Sequence, residues 1–263
     1  MKEYCRLLGL LAVVLLLLLL YGACGYVVRI NSWSLDKVNV PDWMSLHRGE
    51  TKTRVSRMVT RQGGARVVRQ EVSDTVGLRI LMFGDSMVEL LAPRMSDYAE
   101  VNGYELYSVC WYSSTTLGWC QHVDDLHRFM DWARPDYVMI SLGGNELTAQ
   151  NMSQRRRCVR ELMRVLEPLP VVWIAPPSWV ERPTITRVIC GEVGEGRYFD
   201  STRLTFRRAK DGMHPTVRSA SEWMDSIAVW MSGSQCEWRI RMTRPQGRGS
   251  RRWKQKILKP NAL

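Results

Sequence analysis

From Leu78 onward the chain alternates short apolar runs with longer amphipathic segments, and this alternation constrains the fold more than any other feature. Leu78 to Phe83 reads as a strand ending in Gly84-Asp85-Ser86, with a helix from Met87 to Asn102 behind it. A second strand follows at Glu105–Trp111, then a helix over Val123–Ala133 with Val123, Leu126, Phe129, Met130 and Ala133 on one face. Asp136 to Leu142 reads as a strand ending in Gly143-Gly144-Asn145-Glu146, followed by a basic amphipathic helix from Ser153 to Glu167. Val171 to Ala175 is a strand running into Pro176-Pro177, a weaker strand falls at Tyr198–Phe199, and a helix closes the series over Ala220–Met231. Strands and helices of these lengths in alternation predict an α/β fold, a three-layer α/β/α sandwich around a mainly parallel sheet. Ligands of such sheets bind outside the carboxyl ends of the strands, near the point where strand order reverses. Small and polar residues concentrate at those ends: Gly84-Asp85-Ser86, Ser113-Ser114-Thr115-Thr116, Gly143-Gly144-Asn145 and Pro177-Ser178-Trp179.

A different solvent is implied at the N-terminus. Residues 7–28 carry no charged side chain, and 15–20 are unbroken leucine. At 1.5 Å per helical residue such a run spans a hydrocarbon core of about 30 Å. Lys2 and Arg6 before it favour a cytoplasmic N-terminus and export of the rest of the chain. The run is longer than the usual signal-peptide core of roughly 7–15 residues, which favours an uncleaved anchor. A cleaved signal and a lipoprotein signal, with the lipid on Cys24 after Gly22-Ala23, are the alternatives, and all three export the domain.

The formal charge of +11 invites a nucleic-acid reading until the charge is located. From 233 to 263 nine basic residues face Glu237 alone, and from Arg48 to Arg69 seven face Glu50 alone. The middle of the chain is slightly acidic, so a basic, nucleic-acid-binding domain is excluded. The expected organisation is an anchor or signal segment at 1–30, a basic linker at 31–76, an enzyme-sized domain at 77–232 and a basic flexible tail at 233–263. The tail, with Trp238 and Trp253, suits contact with an anionic polymer or lipid headgroups, or no partner at all. Neither the seven cysteines nor His47, His122, His127 and His214 fall in metal-ligand spacing, so no metal and no cofactor is implied.

A serine on the turn after a strand is placed like a nucleophile, but its hydroxyl needs a base. Asp211-Gly212-Met213-His214 supplies one: an imidazole with an unperturbed pKa near 6.5 and a carboxylate three residues earlier to orient it. Charge developing on an acyl oxygen then needs preorganised donors. The backbone N–H of Ser86, one near Ser113 and the Asn145 amide are the candidates.

These residues, in this order, resemble the SGNH hydrolase superfamily, the GDSL-type esterases, over about residues 78–232. Phe83-Gly84-Asp85-Ser86 matches the block that carries the nucleophile, which implies that role for Ser86. Gly143-Gly144-Asn145-Glu146 matches the block that supplies an oxyanion-hole asparagine, implying Asn145, with Glu146 where the family usually has Asp. Asp211 and His214 match the block that completes the triad. Ser113 stands in the place of the family's oxyanion-hole glycine, and its N–H serves if the local backbone does not demand a positive φ. Gly84, Asp85, Gly143 and Glu146 are the expected supporting residues.

The resemblance implies a fold like that of flavodoxin and a serine esterase without cofactor. The substrate would be an acyl ester, an acetyl ester on a cell-envelope carbohydrate being the leading case. Trp111, Trp119 and Trp179, near strand ends, suit either a sugar-facing platform or, preferred for each taken singly, burial as ordinary packing residues. Two alternatives share the same residues or the same location: O-acyl transfer onto an envelope glycan through the same triad, and a non-catalytic protein that binds a glycan or an anionic polymer.

Overall fold

The computed structural model describes residues 77–260, apart from 182, 248 and 251, together with the backbone of four earlier strands. The chain divides into two units, 1–52 and 53–263. In the first, β1 (Arg29–Ile30) pairs antiparallel with β2 (Trp33–Ser34). The apolar run at 7–28 lies outside the described residues, and no described helix is long and apolar enough to cross a membrane.

The second unit contains an antiparallel strand pair, β3 (Val55–Gln62) and β4 (Ala65–Val72), separated in sequence by Gly63-Gly64. The segment expected to be a linker therefore contains paired strands. The cue was present in two runs rich in Val and Arg on either side of a Gly-Gly pair, but the density of arginine masked it.

The main sheet has six strands in the order β11-β6-β5-β7-β8-β9, and every neighbouring pair is parallel. Its first strand in sequence is β5 (Arg79–Gly84), with β6 (Glu105–Trp111) on one side and β7 (Tyr137–Ser141) on the other. β8 (Val171–Ile174) and β9 (Tyr198–Phe199) extend it on the β7 side. Strand order reverses at β5, so the crevice that such sheets use for ligands opens at the carboxyl end of this strand, where Ser86 stands.

Alternate residues of β5 point into separate cores. Ile80 and Met82 pack with α1 (Met87–Asn102) and α6 (Val217–Ser232), through Leu91, Met95, Trp223 and Ile227. Leu81 and Phe83 pack on the other face with α2 (Thr116–Gln121), α3 (Val123–Ala133), α4 (Met152–Leu166) and α5 (Thr184–Val193), through Trp119, Leu126, Leu162 and Ile189. Helices thus cover both faces of the sheet. Each large apolar side chain removed from water here contributes roughly 1.5–3 kcal/mol, which anchors β5 and the turn that follows it.

The end of the domain differs from the sequence expectation. Residues 233–260, expected to form a flexible tail, are built into the fold. Cys236, Ile240 and Met242 are buried in the core beneath α1 and α6. The chain forms β10 (Trp238–Arg239), parallel to β4, and then β11 (Lys254–Leu258), the edge strand parallel to β6. Asp225 of α6 pairs with Arg244, Glu105 with Lys254, and the Asn102 side chain bonds both the N–H and the carbonyl of Thr243. The basic charge that made this segment read as an appendage is partly matched by acidic groups of the domain.

Candidate active site

Gly84 ends β5 with φ 153° and its backbone so close to β7 that an added Cβ would lie 1.8 Å from the Ser141 carbonyl oxygen. Only glycine fits, and this tight passage turns the chain to present Ser86 at the start of α1. Ser86 is the N-cap of this 16-residue helix but makes no side-chain capping bond, which leaves its hydroxyl available. Negative charge developing beside it faces the positive end of the helix dipole.

Ser86 Oγ lies 2.8 Å from His214 Nε2, and His214 Nδ1 lies 2.6 Å from Asp211 Oδ2. With Nδ1 protonated and donating to Asp211, Nε2 presents its lone pair to the serine hydroxyl. The other carboxylate oxygen of Asp211 accepts the N–H groups of Met213 and His214, each at 2.9 Å. The bond to the imidazole, then the two backbone bonds, hold the Asp211 carboxyl at about 2, well below the usual carboxylate range. Ser86, His214 and Asp211 are thus in contact, with Ser86 and His214 128 residues apart in sequence.

The floor of the site is built from buried carboxylates. Asp85 accepts the N–H of Met87 through Oδ1 and of Gly144 through Oδ2, linking the Ser86 turn to the turn after β7. Complete burial outweighs these bonds and pushes its carboxyl up to about 7. Gly143 adopts φ 113° at the start of that turn, a conformation that side-chain-bearing residues rarely take. Glu146, 1% exposed, accepts both the N–H and the hydroxyl of Thr116 at 2.7 and 2.9 Å and pairs with Arg155 at 2.9 Å. The carboxylate that replaces the expected Asp therefore clamps the Asn145 turn to α2 and α4.

Asn145 is exposed and donates one amide proton to the Ser114 carbonyl at 2.9 Å. Its second amide proton meets no protein acceptor among the described residues, and neither does the Ser113 N–H. Ser114 is itself fixed, donating to the Gly84 carbonyl and accepting from Trp119 Nε1. The β6 loop, the Asn145 turn and the end of β5 that leads to Ser86 are thereby tied to one another. Ser113 has φ 60°, so the backbone does demand the left-handed region, and serine occupies it where glycine would be unstrained. Ser113→Gly removes a left-handed penalty of about 1 kcal/mol and adds a backbone-entropy loss of roughly 0.5–1 kcal/mol. Its expected Tm is within a few degrees of the parent and its hydrolytic rate within about threefold. Ser113→Val, β-branched at the same φ, lowers both. Thermal melts and rates measured on the pair check this, and a tenfold loss in Ser113→Gly would mean that the hydroxyl itself takes part.

Of the two roles open to the three tryptophans, Trp111 and Trp119 take that of packing residues, and no platform of three forms. Trp119 is 0% and Trp111 7% exposed, packed edge to face on each other, and Trp119 also packs against Phe83 and Phe129 in the core. An indole at a strand end is as easily turned inward as outward, and here the short helix α2 folds Trp119 under the loop. Trp179, 41% exposed, is the one of the three that faces solvent. Sequence reasoning missed Ser114, Thr116 and Arg155, which orient the site through hydrogen bonds and an ion pair. The cluster of four hydroxyl residues at 113–116 was the available signal for the first two. Arg155 had none, being one of several arginines on α4.

Among the described residues no group of His, Cys, Asp and Glu could hold a metal ion, and Cys110, Cys120, Cys158, Cys190 and Cys236 carry free thiols. In comparisons with known proteins, no family model and no curated protein matches the chain.

Proposed function

We propose that the protein is a serine esterase of SGNH type with a flavodoxin-like three-layer fold. The observation that carries the reading is the relay Ser86–His214–Asp211, with contacts of 2.8 and 2.6 Å at the carboxyl end of the first sheet strand. Ser86 attacks the ester carbonyl while His214 takes its proton; His214 then returns the proton to the departing alkoxide. Water, activated by the same imidazole, releases the acyl group from Ser86. The Ser86 N–H and the spare Asn145 proton are the donors for the tetrahedral oxyanion, and the Ser113 N–H joins them because this serine takes up the positive φ of 60° that the turn demands. We further propose that the domain is exported, held at a membrane by the segment at 7–28, and acts on acetyl esters of an envelope carbohydrate. The apolar run and the exposed Trp179 support that part of the reading.

A fluorophosphonate probe tests the core of this reading. The expected result is a single adduct on Ser86, located by mass spectrometry and absent in Ser86→Ala. Folded protein that takes up no label would overturn the esterase reading and favour a binding protein.

A further inference from the structure

We propose that Arg208 is the positioning residue of the general base, the group that locks His214 at hydrogen-bonding distance from Ser86. This rests on the esterase reading above. The segment from Arg207 to Thr216 is a narrow excursion in which residues 209–213 are all exposed. It closes on itself through an antiparallel bridge between Arg208 and Pro215, with Ala209 N–H bonded to the His214 carbonyl and Thr216 N–H to the Arg207 carbonyl, both at 2.8 Å. After His214 the chain is held firmly: Pro215 is buried and the Thr216 hydroxyl caps α6. Before it, Asp211 and Met213 have no core contact to hold them.

Arg208 supplies the missing restraint. Its Nη1 donates to the carbonyls of Met213 and Pro177 at 2.6 and 2.8 Å, and its Nη2 donates to the carbonyl of Ser178 at 2.8 Å. Pro177 and Ser178 leave the end of β8, an inner strand of the sheet. One guanidinium therefore joins the residue before His214 to the rigid sheet. The same group lies 5.3 Å from the centroid of Phe206, whose ring packs edge to face on Trp223 in the core. The partners are three carbonyls in two loops, and a planar fork of donors suits them; the single ammonium of lysine does not reproduce that geometry. Arg208 makes no contact with Ser86, so it acts through His214 and not on the reacting atoms.

A displacement of about 1 Å at a catalytic group lowers rates on the order of 100-fold. Full-length Arg208→Ala and Arg208→Lys, assayed on p-nitrophenyl acetate, are expected to lose about 10- to 100-fold in kcat with KM within about threefold. Two readouts separate positioning from a structural role. Added guanidinium or methylguanidinium ion restores several-fold activity to Arg208→Ala but not to Arg208→Lys. The number of fluorophosphonate-titratable sites stays at the wild-type value in both variants, so the loss lies in turnover per site. Lys210→Ala, which removes an exposed charge from the same excursion, retains wild-type kcat. The assignment is overturned if Arg208→Lys has wild-type kcat, or if the loss in Arg208→Ala is matched by lost fluorophosphonate-titratable sites with normal turnover per site. A wild-type protein that neither hydrolyses esters nor takes the label would sink the esterase reading itself, an outcome distinct from normal hydrolysis in the Arg208 variants.

Discussion

Ser86→Ala is expected to reduce ester hydrolysis by about 10⁴–10⁶-fold, leaving only what the oxyanion donors and substrate binding supply. His214→Ala is expected to match it, and the double variant to be little worse than either single one, because the two act as one unit. Asp211→Asn is the more informative change. It keeps size and position but favours the tautomer that points a proton, not a lone pair, at Ser86, for an expected loss of about 10³–10⁴. The pH profile carries the same logic. Hydrogen bonds hold the Asp211 carboxyl at about 2, so the carboxylate remains charged through the range in which the protein is assayed. A carboxyl depressed in the folded state stabilises that state above its ordinary value of 3.8, and the contribution fades as pH falls towards about 2. Protonation of Asp211 therefore does not account for activity lost on mild acidification, whereas the Asp85 carboxyl, raised by burial to about 7, titrates within the range that steady-state rates from pH 4 to 9 cover. An Asp211→Asn variant with near-wild-type kcat would remove Asp211 from the relay.

What could be read from sequence was whatever repeats or recurs locally. Met87–Asn102, Glu105–Trp111 and Val123–Ala133 match the observed elements end to end, because each is a long periodic run with clear punctuation. Ser86, Asn145, Asp211 and His214 were singled out as polar residues on glycine-bearing turns, and the structure brings Ser86, His214 and Asp211 into contact. The missing parts depend on contacts distant in sequence. Arg208 is one basic residue among 37 Lys and Arg until the carbonyls of Pro177 and Ser178 are placed around it. The left-handed Ser113 is a backbone angle that no residue type announces. Lys254–Leu258 gave no strand signal, since K-Q-K-I-L is short with two lysines in five residues, and its pairing partner is β6, nearly 150 residues earlier. Edge strands are commonly charged, which protects them from pairing with other chains and hides them from periodicity.

Ending the chain after Ser232 is expected to prevent folding altogether, not merely to remove an appendage. The cut deletes Cys236, Ile240 and Met242, which are 1%, 2% and 7% exposed, and burial of side chains like these stabilises by roughly 1.5–3 kcal/mol each. It also strands polar groups that stay inside. The Tyr137 hydroxyl, on a fully buried side chain, loses the Trp238 carbonyl; Tyr104 loses the Arg241 carbonyl; Asn102, 1% exposed, loses both of its bonds to Thr243. A buried donor or acceptor left without a partner costs about 1–3 kcal/mol. The two groups of losses together are comparable with the whole stability of a domain, about 5–15 kcal/mol. Loss of β11 further leaves the length of β6 as an open edge, and with it a surface for aggregation. Circular dichroism and thermal melts of the intact and truncated chains decide the matter. The intact chain should unfold cooperatively, and the truncated chain should show no transition and collect in the insoluble fraction. Cooperative melting of the truncated chain within a few degrees of the parent would mean that residues 233–260 are carried by the domain without supporting it. The basic C-terminal segment would then regain the independence that its composition suggests. Under the expected outcome, the residues that contribute most to the net positive charge also complete the sheet on which Ser86 is mounted.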